Sequence, residues 1–195
     1  MAYYYLGAQL PSLIYGQSAP MSSVAFKQLA QSSLKASDAV WLDKCAFNPE
    51  VIGAAEKNMP DFFVRWNEWE KALRFNLARF RAANLKRGIS IDAPEYPADA
   101  VAAAKAASAL DSPLEAELIL DEARWKAIES FQGYDNFDRN AMYAYLLKLL
   151  LMERRSCFRA EEGFTEYKGL YAAVMEAAGS GFDGAVFKGQ SGEPK

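Results

Sequence analysis

The chain has no histidine among its 195 residues and only two cysteines, Cys45 and Cys157. The first absence removes imidazole chemistry as a whole: His general bases, Ser-His-Asp and Cys-His nucleophile systems, His metal ligands and His pH switches. Two thiols build neither a four-thiolate metal site nor a disulfide framework, and they fit a reducing compartment in which both are small buried apolar groups. Phosphate-cradling loops are missing too. Neither GxxxxGK[ST] nor GxGxxG occurs, and the scattered glycines Gly179, Gly181, Gly184 and Gly189 follow no strand. Long apolar runs are absent: the most apolar stretch, Ala141 to Met152, has 12 residues and carries Lys148. A membrane span needs roughly 20 such residues, so this stretch predicts a core helix. The first 26 residues carry no charge, but Pro11 and Gly16 interrupt them and no basic segment opens them, which argues against a signal peptide. The expectation is a soluble, cytoplasmic chain with no catalytic residues, no cofactor and no metal.

What is present points to helices. The chain is 51% apolar and 24% charged with a formal charge of −3, enough to bury a core in one domain or two small ones. Helix starts are well marked. Ser22 or Ser23 can cap VAFKQLAQSSL and Ser37 can cap DAVWLDKCAF, while Asn48-Pro49-Glu50 and Ser112-Pro113-Leu114-Glu115 each place a cap before a proline and an acid. Gly88, Gly133 and Gly179 sit at expected helix ends. From about Pro60 to Arg87 the apolar residues Phe62, Trp66, Trp69, Leu73, Leu77 and Phe80 step by four, three, four, four and three, one stripe down a long helix. Further helices are expected from about Pro113 to Phe131, Asn136 to Cys157 and Glu161 to Ala178. Strand evidence is confined to Tyr3-Tyr4-Tyr5-Leu6, which reads equally as the first turns of a helix, and to Ile89-Ser90-Ile91. The predicted fold is an all-α multi-helix bundle with two or three long helices and a possible short N-terminal strand. The proline-containing IDAPEYP segment (91–97) divides an N-terminal helical half, 1–92, from a C-terminal half, 93–178, packed on it as one domain. Residues 179–195, rich in Gly, Ser and charge, form a flexible tail.

Charge and chemistry are unevenly placed. Between Asp61 and Arg87 there are seven Lys/Arg against three Asp/Glu, a net of +4, and between Asp92 and Glu122 one Lys against eight acids, a net of −7. Such segments either attract each other or present docking faces to differently charged partners. Glu115, Glu117, Asp121 and Glu122 share one helix, but the Glu-x-x-His motifs of a di-iron site and the DDxxD of prenyl-diphosphate enzymes are absent. Asp135 reads as a helix cap. Arg154 and Arg155 precede Cys157 and could activate its thiol, though a buried inert thiol is the plainer expectation. A carboxylate or Cys157 enzyme predicts a deep polar pocket that gathers two or more of Glu115, Glu122, Glu153 and Arg154. Arg residues interleave with Trp66, Trp69, Phe75 and Phe80, a composition used by single-strand nucleic-acid grooves. The aromatics nevertheless fall on the stripe a core claims, and the acidic net charge argues against nucleic acid.

The opening Tyr3-Tyr4-Tyr5-Leu6-Gly7-Ala8-Gln9-Leu10-Pro11-Ser12-Leu13 resembles the start of a bacterial family encoded in V-type ATP synthase operons. The resemblance continues through Met59-Pro60-Asp61-Phe62-Phe63, Trp66, Glu70, Leu73 to Ala78, Arg79 and Arg81. It appears again at Pro113-Leu114-Glu115, Leu120-Asp121 and Glu153-Arg154-Arg155. It implies a counterpart of the V-type ATPase central-stalk linker, the all-helical element between central stalk and membrane rotor, in a chain shorter than a full linker. Its partners would be the central-stalk and rotor-ring subunits, and its contact with the inner membrane only indirect, through the ATPase. The function expected is thus a non-catalytic subunit or assembly protein of a rotary ATPase. The alternative is an unrelated helical protein–protein interaction adaptor. The candidate partner-binding residues are Arg65, Arg74, Arg79 and Arg81 on the polar side of the basic helix.

Overall fold

A computed structural model describes residues 3–47, 58–85, 92–158 and 160–180. Among these the chain is all helical: α1 (Tyr4–Gln9), α2 (Ser23–Gln31), α3 (Ala36–Asp43), α4 (Asp61–Asn84), α5 (Ala98–Ser108), α6 (Pro113–Gln132), α7 (Arg139–Ser156) and α8 (Ala160–Ser180). The chain divides into two compact units, Met1–Cys157 and Phe158–Lys195. The first holds α1 to α7 and the second α8.

The first unit is organised around α4 and α7. The stripe read from the sequence closes as expected: Phe62, Phe63, Trp66, Trp69 and Leu73 are buried. Both indoles keep a polar partner, as buried tryptophans require: Trp66 Nε1 donates to the Ala46 carbonyl at 3.3 Å and Trp69 Nε1 to Asp99 at 2.8 Å. Helix α7 is apolar nearly all round, so it is buried on most sides. Tyr143, Leu146, Leu147 and Leu149 are inaccessible to solvent, and Tyr143 packs against Phe62 and Phe63. α2 and α3 cover it on one flank and α6 on another, while α4 carries α5 and α6. Helix α5 is an alanine helix whose Ala100, Ala103, Ala104 and Ala107 face inward. Small side chains let it lie close to α4, and its low apolar contrast hid it from the periodicity reading.

Caps and ends agree in part with the sequence. Ser22 accepts from the Ala25 amide and Ser112 from the Glu115 amide, and Gly133 ends α6 with φ of 78°. Ser37 is not the cap of α3, because that helix starts two residues earlier than such a cap allows, with Lys35 at the cap position. Asp138 rather than Asp135 caps α7, while Asp135 accepts from the Phe137 amide in the preceding turn. Gly179 does not stop α8, which runs on to Ser180. Asn48, Gly88, the Ile89-Ser90-Ile91 segment and residues 181–195 lie outside the described residues.

Tyr4 and Tyr5 open helix α1 with Tyr3 at its N-cap, and they form no strand. A strand would send Tyr3 and Leu6 to opposite faces; the helix brings both inward at i and i+3. Tyr3 and Leu6 are buried, and Tyr3 donates its hydroxyl to Asp38 at 2.5 Å and its amide to the Phe137 carbonyl at 2.9 Å. Burial and the bond to Asp38 push the Tyr3 hydroxyl above its ordinary pKa. A methyl group on Gly7 would come within 2.7 Å of the Phe137 ring, so α1 can seat only because that position lacks a side chain.

Candidate docking surface

Beneath the exposed face of α4 lies a buried ionic network. Glu70 on α4 is inaccessible to solvent. It accepts from Arg74 at 2.8 Å on the outer side and twice from Arg124 of α6, each at 3.1 Å, on the inner. Arg124 also donates to Asp121 at 3.2 Å. Arg154, at the end of α7, pairs with Glu117 and lies 3.7 Å from Asp121. Three carboxylates thus meet three guanidinium groups, which ties α4, α6 and α7 together. Burial lifts the Asp121 carboxyl above the ordinary aspartate range against the pull of Arg154 and Arg124, and its Oδ2 has no hydrogen-bond partner. For Arg124, burial disfavours the charge, but Glu70 and Asp121 outweigh it and raise its pKa.

The acids singled out by sequence separate on this scaffold. Glu117 and Asp121 enter the network. Glu115 is exposed at the start of α6, and Glu122 is exposed and paired with Lys126 at 2.6 Å. Glu153 serves α2, accepting from the Ser23 amide at 2.6 Å and the Ser23 hydroxyl at 2.7 Å, a carboxylate at a helix N-terminus. A cavity of about 300 Å³ beside Pro11, Met142, Tyr145 and Lys148 holds none of the four residues of the carboxylate hypothesis. A second of about 290 Å³, beside Asp99, Ile119 and Lys126, holds only Glu122 of them. Among the described residues no group of three or more Cys, Asp or Glu is placed to hold a metal ion. Cys45 is buried, and its thiol is pushed well up by burial. Cys157 corrects the sequence expectation: it is exposed, because α7 ends there and the chain leaves the core.

The four candidate arginines do not share one face of α4. At 100° per residue Arg65 and Arg79 lie about 40° apart and Arg74 and Arg81 about 20° apart, the pairs pointing nearly opposite ways. Arg65 sits 3.9 Å from Asp61 and over the Phe131 ring at 4.8 Å, while Arg79 lies over Phe80 at 4.9 Å. The second pair joins residues that charge counting alone passed over. Lys71, Arg74, Phe75, Ala78, Arg81 and Leu85 fall within an arc of about 120° on the outer side of the helix, and all six are exposed. No acid lies among these six. Phe75 is 48% and Leu85 63% exposed, so two apolar side chains stand between three cations. The Arg65 and Arg79 side of the helix is mixed in sign instead, since Asp61 and Glu68 lie on it. The signal for the outer surface was in the sequence, since it is the complement of the Trp66–Trp69–Leu73 stripe.

Among the described residues no helix is long and apolar enough to cross a membrane. Compared with known proteins, the chain matches no family model, no curated protein and no solved structure.

Proposed function

We propose that this chain is a non-catalytic docking protein, and that its partners are the central-stalk and rotor-ring subunits of a V-type rotary ATPase, the complex its N-terminal string implies. The observation that supports a docking role is the basic-aromatic surface of α4. Arg and Phe side chains interspersed on a firm helical face are what protein interfaces concentrate, and uniform cationic charge steers an acidic partner. The buried Glu70–Arg124 pair underlies that face and resists its displacement, as a component transmitting force between stalk and rotor requires. On this reading the protein works as a subunit or assembly factor on the cytoplasmic side, peripheral to the inner membrane through the ATPase.

The test is co-elution of the purified full chain with the central-stalk subunits and rotor ring of the same organism. A stoichiometric complex is expected, and the double reversal Lys71→Glu/Arg81→Glu should weaken it about tenfold or more, the equivalent of about 1.4 kcal/mol. Both residues lie outside the buried network, so the melting temperature should hold. Association unchanged by both reversals means that a different face docks. No association at micromolar concentration removes the ATPase assignment and leaves the adaptor reading for another acidic partner.

A further inference from the structure

Among the described residues of its own unit, helix α8 carries an apolar stripe with no cover. Every residue from Gly163 to Met175 is exposed, including Phe164, Tyr167, Leu170, Tyr171, Val174 and Met175, each between 56 and 71% accessible. Such a helix does not hold itself together in water. At 21 residues, with Gly163, Gly169 and Gly179 inside it, its propensity is poor, because each internal glycine costs about 1 kcal/mol relative to alanine. Packing of the stripe must supply the rest.

We infer that α8 is a self-association element whose apolar stripe pairs with the same stripe of a second copy of this chain. Three observations carry this. The spacing is that of a helix–helix seam: Phe164, Tyr167, Tyr171 and Val174 step by three, four and three, the alternation that keeps a and d positions on a facing helix, and Ala178 continues it in sequence. Leu170 and Met175 flank the seam at g and e positions and broaden it. The ridge is already formed, with Tyr167 and Tyr171 rings stacked at 6.2 Å and Lys168 drawn over Phe164 at 4.4 Å.

The area is also sufficient. Aromatic side chains bury roughly 150–250 Å² each when fully covered, so six large apolar groups a little over half exposed offer on the order of 600 Å². Two copies then remove about 1,200 Å² from water, at the lower bound of specific stable interfaces. A monomer rarely leaves so large a contiguous patch open.

The charges point to a second copy rather than a lipid surface. Helix α8 holds four Glu against one Lys, and an anionic membrane repels such a helix where it attracts a basic one. With Phe164 at a, Glu162, Glu166 and Glu176 fall in sequence at the outer f, c and f positions and Glu161 at an e position of the first turn. From Gly163 to Met175 the a, d, e and g positions hold no acid, so two seams can meet there without bringing carboxylates together.

This pairing is independent of whichever partner meets α4. Its test is sedimentation velocity on the full chain from low to high micromolar concentration. The expected result is a concentration-dependent rise of the apparent mass towards twice 21.6 kDa, and a return to the single-chain mass in Tyr167→Glu/Tyr171→Glu. Circular dichroism and melting of the variant's first unit should match the parent. A parent that stays monomeric at high micromolar concentration overturns the inference, and so does a substituted chain that still doubles. A monomer that binds phosphatidylcholine vesicles through the same tyrosines overturns it in favour of a lipid face.

Discussion

In α4 the residues Phe62, Trp66, Trp69 and Leu73 recur at steps of four, three and four, and none is more than 1% exposed. In α8 the residues Phe164, Tyr167, Tyr171 and Val174 recur at three, four and three, and every one is more than half exposed. The two patterns are equally helical, so periodicity does not distinguish a stripe that has found its partner from one that has not. What differs is the surroundings. The α4 stripe meets α5 and α6, with Trp69 also bonded to Asp99, while the α8 stripe belongs to a unit with no second helix among the described residues. An amphipathic pattern therefore states a demand for burial, and the tertiary structure states who meets it.

The sharpest way to break the comparison is to truncate one residue in each helix. Trp66→Ala should cost the first unit about 3–5 kcal/mol, the range for removing a large buried aromatic. Tyr171→Ala should leave that unit's stability within about 0.5 kcal/mol, as for an exposed substitution. Urea melts followed by tryptophan fluorescence measure both, and similar losses would erase the distinction. Removing Glu70 tests whether charge as well as apolar packing anchors α4. Glu70→Ala leaves Arg124 buried beside Asp121 and should cost about 3–5 kcal/mol, whereas breaking the exposed Lys126–Glu122 pair should leave the urea midpoint almost unmoved. A smaller effect is expected at the start of α6, where Ser112→Ala removes the acceptor for the Glu115 amide and should cost about 1 kcal/mol.

The smallest effect is one of pH. Burial raises the folded-state pKa of Asp121 above its unfolded value, so the folded chain takes up this proton more readily than the unfolded one. The resulting stability is complete below the unfolded aspartate range and is lost as pH rises through the folded pKa. Relative to Asp121→Asn, the parent should therefore gain stability as pH falls from neutral towards about 4. Urea midpoints of both proteins across that range report the difference, and a parent that loses ground on acidification would reverse the sign of this assignment.

Much of the fold was legible in the residues. The stripe of α4, the apolar circumference of α7 and the Ser112-Pro113 start of α6 each carry their own instruction, because local spacing and capping chemistry act within a few residues. Three things were not legible. The tyrosines at 3–5 favour strand by composition, and only contacts with Asp38 and Phe137, distant in sequence, settle them as helix. The alanines of α5 give little contrast between inside and outside. Cys157 closes a strongly apolar helix, yet it is exposed because the core ends one turn earlier. The docking surface was half legible: counting arginines found Arg74 and Arg81 but grouped them with Arg65 and Arg79, since a sum of charges ignores the angle at which each leaves the helix.

The sequence by itself determined that this protein is helical, that it has no histidine chemistry, and that α4 and α8 each present an apolar face. These are consequences of residue identity and of a 3.6-residue turn. Only the tertiary structure decided that Glu70, Asp121, Arg124 and Arg154 form one network. It also decided that one of the two apolar faces is closed while the other stands open. The reason is physical: burial and charge pairing depend on distances between segments far apart in the chain, which no local pattern encodes.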